Sequence, residues 1–274
     1  MLTRLANRGA LLINTEQLET LTAKVELRAQ RWEHRCGLLG ATAMVIAFLA
    51  STGFSRIELM IVEAIAAYFG GGYLGRMASY GMLRQLLHQE RLLLQAQPGH
   101  LDGASGFKPL GDFYFWQAMV AALPAMYLAI WWLIIPILPR YLWWRDSYLG
   151  LLVIAIAFEL LAFTVPLWLF HLEMQQQKVQ FLKEADQISR SLFEIENQLV
   201  TVETTQEREQ LKEQITQFSK RYWEIEKMPT WPVDFKILRH FGLNNLALCL
   251  PLISKLAGNS EVWQNLETLI KSLK

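Results

Sequence analysis

Residues 113–139 read FYFWQAMVAALPAMYLAIWWLIIPILP, 27 residues without one charged side chain. An α-helix rises about 1.5 Å per residue and bilayer hydrocarbon is about 30 Å thick, so about 20 mostly apolar residues suffice to cross it. The run exceeds that length, and its reading as a transmembrane helix sets the reading of the chain around it. Residues 147–170 form a second such run, interrupted only by Glu159. Upstream, residues 37–54 carry no charge, and residues 57–75 follow directly after Ser55 and Arg56 while holding Glu58 and Glu63. The expected fold is an all-α membrane protein, with four transmembrane helices in two hairpins plus a cytoplasmic helical bundle or coiled coil.

Composition agrees. The 274 residues are 53% hydrophobic and 19% charged, whereas a soluble domain carries charge on about a quarter of its residues. The formal net charge of +1 gives no case for nucleic-acid binding. The two cysteines, Cys36 and Cys249, form no CxxC pattern and indicate neither a disulfide framework nor a zinc site. The apolar run at residues 10–13 is too short for a signal-peptide core, so the first span is expected to stay in the mature protein.

Orientation follows from Lys and Arg, which cytoplasmic loops retain. Residues 1–36 hold six, residues 76–112 four and residues 171–274 thirteen, against Arg56, Arg140 and Arg145 on the other side. Both termini are therefore expected in the cytoplasm. Trp116 and Trp168 mark the inner boundary, and Tyr141, Trp143, Trp144 and Tyr148 form an aromatic belt at the outer one. Ala67, Gly71 and Gly75, four residues apart, supply a small-residue face for close helix packing, within the chain or with another subunit. Pro124, Pro136 and Pro166 are expected to kink the third and fourth spans.

The division that results is an N-terminal cytoplasmic helix at 1–36, a transmembrane hairpin at 37–75 and a cytoplasmic helix and loop at 76–112. A second hairpin follows at 113–170, then a long helical hairpin at 171–228 and short amphipathic helices at 229–274. Asn14 and Gln17 have the spacing of a helix start. In the tail, Phe181, Ala185, Ile188, Leu192, Ile195, Leu199 and Val202 alternate spacings of four and three, a heptad seam. A second seam through Leu211, Ile215, Phe218, Tyr222 and Ile225 is out of phase with it. A turn near Thr204, whose spacing to Glu207 suits a capping box, explains the phase change, with one broken helix as the alternative. The seams bundle either within one chain or between subunits. Residues 235–257 hold Lys236, Arg239, Asn244, Asn245 and Pro251 among apolar residues, which favours an interfacial or bundle-packed helix over a fifth span. Val262, Leu266, Leu269 and Leu273 mark a last amphipathic helix.

The segment MPTWPVDFKIL at 228–238, followed by LCLPLI at 248–253, resembles the C-terminal part of uncharacterised polytopic membrane proteins of bacteria, cyanobacteria among them. The resemblance covers about a tenth of the chain. It implies a bacterial inner (plasma) membrane and brings no activity. Two hairpins with cytoplasmic helices are also similar in topology to stator-type proton-channel subunits, although the inner connection is short and no motif matches.

Chemistry is sparse. His34, His88, His100, His171 and His240 have no metal-ligand spacing. The loop GASGFK at 103–108 lacks the GKS/T ending of a phosphate loop and reads as a flexible connection; GGGY at 70–73 lies in a helix and lacks the surroundings of a selectivity filter. No catalytic residues, cofactor or metal site are expected. Glu63 and Glu159 stand out, because charge at membrane depth costs a few kcal/mol or more. Each serves either an interhelical hydrogen bond as a protonated acid or an ion pathway. The expectation is a non-enzymatic scaffold, anchored in the lipid bilayer, that assembles with itself or with a membrane or cytoplasmic protein. The alternative is an oligomeric channel or pore, such as a stress or defence effector, with these carboxylates lining a cation path.

Overall fold

The computed structural model describes residues 1–52, 57–138, 142, 145–202 and 204–256. Four helical stretches are long and apolar enough to cross a membrane: Thr15–Ala50, Ile57–Gly81, Lys108–Ile137 and Tyr148–Thr201. The described residues form helices α1 (Leu2–Asn7), α2 (Thr15–Thr52), α3 (Ile57–Gly81), α4 (Leu83–Gln89), α5 (Lys108–Ala121), α6 (Leu123–Ile134), α7 (Arg145–Thr201), α8 (Thr205–Glu226) and α9 (Phe235–Leu256). The fold is all-helical; among the described residues, extended pairing is limited to one bridge between Leu11 and Leu94. Arg56, Arg140, Tyr141, Trp143, Trp144 and the last amphipathic helix lie outside the described residues.

The chain divides into two compact units, residues 1–113 with 164–234, and residues 114–163 with 235–274. In the first unit α2 starts on a reciprocal cap: the Gln17 backbone N–H donates to Asn14 Oδ1 at 2.8 Å, and the Asn14 N–H to Gln17 Oε1 at 3.4 Å. The partner of the small-residue face is α2 of the same chain. A β-carbon on Gly71 would stand 2.5 Å from the Cys36 carbonyl oxygen, and one on Gly40 would stand 2.6 Å from that of Ala67. Gly75 presses against Trp32 and Cys36 in the same way. Contacts that run backward along α2 as they run forward along α3 make the pair antiparallel. Past the glycines, polar groups take over: Arg76 binds Glu26 at 2.5 Å and Glu33 at 3.0 Å, and Lys24 binds Glu90 at 2.7 Å.

The loop at 98–107 is packed, unlike the flexible connection expected from its glycines. Ala104, Ser105 and Phe107 are buried, and Gly99, Gly103 and Gly106 adopt positive φ. The cause is Asp102, whose carboxylate accepts the backbone N–H groups of Ala104 (2.9 Å), Gly106 (3.0 Å) and Lys108 (3.3 Å) and the guanidinium of Arg8 (2.8 Å). Amides turned onto an internal carboxylate are not available to cradle a phosphate. Gln177 of α7 ties the segment before the loop, accepting from the Ala96 N–H at 2.7 Å and donating to the Leu94 carbonyl at 2.5 Å.

Pro124 and Pro136 interrupt the third apolar stretch, since α5 ends before Pro124 and a single 3-10 turn, Ile135–Ile137, holds Pro136. Pro166 lies inside α7, which continues through it to Thr201. Thr204 is the N-cap of α8, and its hydroxyl bonds the Glu207 carboxylate instead of a backbone N–H. Helix α8 packs back on α7: Ile225 joins Ala185 and Ile188 in one cluster flanked by Phe181, Leu192 and Tyr222, while Arg221 binds Glu184 at 3.0 Å. Part of each seam thus meets the other within the chain, and the phase change falls between the end of α7 and the start of α8.

Gly71→Leu is expected to force α2 and α3 apart and cost about 1–3 kcal/mol. Gly70→Ala, which would meet nothing within 4 Å, should not lower stability and should raise it by up to about 1 kcal/mol; thermal unfolding in detergent compares them. Burial pushes the Asp102 carboxyl up, but the Gly106 and Ala104 N–H groups and His100 outweigh it and hold its pKa below the ordinary value. The stability it contributes is therefore complete above the unfolded-chain value of about 3.9 and is lost as pH falls through the lower folded value. Amide exchange of Gly106 should accelerate in that acid range and, in Asp102→Asn, at neutral pH as well.

Candidate functional site

Within the second unit α7 presents one periodic buried face. Leu152, Ile156 and Phe163 are buried, and Glu159 stands among them with no exposed surface. A carboxyl at that position occupies a slot which the helical period assigns to an apolar side chain. Helix α9 faces it with its own period, through buried Ile237, Phe241 and Leu248. Leu248 packs with Leu152 and Ile156 of α7 and with Ala122, Ala125 and Ala129. The alanines leave room for α9 to approach α6. The rings of Phe163 and Phe241 meet at 4.0 Å between centroids.

Between these apolar layers the Asn245 side-chain amide donates to Glu159 Oε1 at 3.2 Å and to the Phe241 carbonyl at 3.1 Å. Asn244, its neighbour, donates to the Met119 sulfur at 3.0 Å. Glu159 Oε2 and Asn245 Oδ1 are buried without a hydrogen-bond partner. The site is thus a small polar island: one carboxyl and one amide on facing helices, sealed by Leu, Ile, Phe and Ala. Toward the end of α6, the Arg145 guanidinium lies 4.4 Å from the ring centre of buried Trp132.

The remaining candidates are dispersed. Glu63 is half-buried in α3, in the first unit. Glu58 is exposed. Ala67, Gly71 and Gly75 form the seat of α2 described above. Of the seam, Ala185 and Ile188 are buried, while Phe181, Leu192, Ile195, Leu199 and Val202 are half-buried. His34 sits by the Tyr68 hydroxyl (3.0 Å), His171 bonds the Thr230 carbonyl (2.8 Å) and stacks on Trp231, and His240 bonds the Lys236 carbonyl (2.7 Å). Among the described residues no three His, Cys, Asp or Glu side chains are grouped to hold a metal ion.

Glu159 is legible in the sequence as a charge inside an apolar run. Asn245 is the residue that sequence reasoning missed as a partner, because its polarity counted only against a fifth span. The available signal was the four-and-three spacing of Ile237, Phe241, Asn245 and Leu248, which places Asn245 on the packed face. No family model, no curated protein and no solved structure matches the chain.

Interhelical hydrogen bonds at membrane depth contribute about 0.6 kcal/mol on average, whereas a buried polar group left without its partner costs about 1–3 kcal/mol. Asn245→Leu should therefore destabilise by about 1–3 kcal/mol. The double variant Glu159→Leu, Asn245→Leu should recover most of that loss. Unfolding followed by circular dichroism checks this, and purely additive losses would deny the pairing.

Proposed function

We propose that this chain is a non-enzymatic scaffold of a bacterial inner membrane, with its N-terminus and its α7–α8 tail in the cytoplasm, and that it assembles with a second copy of itself through that tail. The observation that carries the reading is a line of exposed apolar side chains on α7. Val179, Leu182, Phe193 and Val200 are 53%, 41%, 67% and 83% exposed. Positions seven apart fall on nearly the same line of a helix, so Val179, Phe193 and Val200 share one stripe, interrupted by exposed Asp186, with Leu182 beside it. The seam through Ala185 and Ile188 occupies another face, already covered by α8. A polar helical tail whose inner seam is satisfied, yet which keeps a second apolar stripe, has the design of a coiled-coil contact. The distribution of Lys and Arg supports the cytoplasmic placement.

A second reading is a cation-conducting oligomer. It is favoured by the buried oxygens of Glu159 and Asn245 that accept no hydrogen bond, since carboxylate and amide oxygens are the ligands a hard cation takes. Its test is conductance of the reconstituted protein and a change with Glu159→Gln; silent bilayers across voltage and pH would dismiss it.

For the scaffold, the double variant Phe193→Lys, Val200→Lys should halve the mass measured by light scattering in mild detergent or in nanodiscs while leaving the melting temperature in place. Ile188→Asn should instead lower the melting temperature. A wild-type chain that is monomeric in both media would refute self-assembly.

A further inference from the structure

Helix α9 has its polarity turned inside out. From Phe241 to Ile253 its exposed residues are Gly242, Leu243, Leu246, Ala247, Leu250 and Ile253, without a polar side chain among them. The two asparagines in the same stretch point the other way, Asn244 to the Met119 sulfur and Asn245 to Glu159. A surface helix in water shows the opposite arrangement, polar outward and apolar inward. A helix lying in the membrane plane likewise keeps one strongly polar face toward water. Neither description fits residues 241–253.

We propose that α9 is embedded in the bilayer beside α6 and α7, with lipid acyl chains covering Leu243, Leu246, Leu250 and Ile253. Its neighbours set its depth. Leu248 shares one buried cluster with Ala122, Ala125, Ala129, Leu152 and Ile156, all inside stretches apolar enough to cross a membrane. Phe241 meets Phe163, and Leu252 packs on the same cluster as Leu128 and Leu149, so α9 advances antiparallel to α7. Its 22 residues span about 33 Å, close to the hydrocarbon thickness. Lys236, Arg239 and His240 are exposed in its first turns, where long cationic side chains reach the headgroups. These basic residues and the asparagines interrupt its apolar sequence. The asparagine N–H groups are spent on the Met119 sulfur, Glu159 and the Phe241 carbonyl.

The test uses the full chain in phospholipid vesicles. In a Cys36→Ser, Cys249→Ser background, nitroxides are placed one at a time at Leu243→Cys, Leu246→Cys, Leu250→Cys and, as the aqueous reference, Lys236→Cys. Collision with oxygen, which concentrates in hydrocarbon, should exceed collision with a water-soluble nickel chelate several-fold at 246 and 250, and the order should reverse at 236. Nickel collisions at 246 and 250 as frequent as at 236 would overturn the proposal. The unmodified chain supplies the second readout, photolabelling by a phospholipid with a diazirine in its acyl chain. Adducts within 241–253 support the embedding. Adducts on α6 with none in 241–253 overturn it, whatever the cysteine variants do.

Discussion

The second unit depends on one contact between polar groups in a place that has no water to offer them. A carboxyl sealed by leucine, isoleucine and phenylalanine loses its hydration, and in a medium of low dielectric that loss is recovered only from a fixed neighbour. Asn245 is that neighbour, so the pair fixes the register of α9 against α7 as a key fixes a lock: a slip by one residue would carry the amide about 100° around the helix and leave both groups stranded. The surrounding alanines and phenylalanines fill space, but they tolerate small displacements that the polar pair does not.

The α2–α3 pair of the first unit meets the same requirement of register by a different physical route. At Gly40, Gly71 and Gly75 the two backbones touch directly, and dispersion between closely approached main chains replaces the interlocking of side chains. Arg76, gripped by Glu26 and Glu33, continues the interface where solvent or headgroups can share the charge. Small residues serve at one end and ion pairs at the other, in keeping with what each medium rewards.

Much of this was legible in the residues. Long apolar runs mark all four candidate spans, since length and lack of charge are local properties. Asn14 and Gln17 mark the start of α2 because capping is local too, and the glycine ladder marks a face for packing, though not its partner. Contacts distant in sequence were not legible. Nothing near Asp102 announces that Arg8 will reach it, and glycines that permit a loop to flex also permit it to fold tightly around a carboxylate. The character of α9 was hidden for a further reason: periodicity separates two faces of a helix without saying which one meets its neighbours. Asn244 and Asn245 argue for water if that face looks outward and for lipid if it looks inward, and only the positions of Met119 and Glu159 decide between them.

The distance along the chain between Glu159 and Asn245 bears on how the molecule is made. The glycine-lined pair is complete once residue 81 has been synthesised, and its two helices can enter the bilayer together. Glu159 must wait for another 86 residues before its amide leaves the ribosome, several seconds at the usual pace of about 5–20 residues per second. Throughout that interval the Glu159 carboxyl lacks the amide that it meets in the finished unit. Helix α9 is thus the element that completes the second unit, and a chain halted before residue 245 leaves the Glu159 carboxyl without its amide.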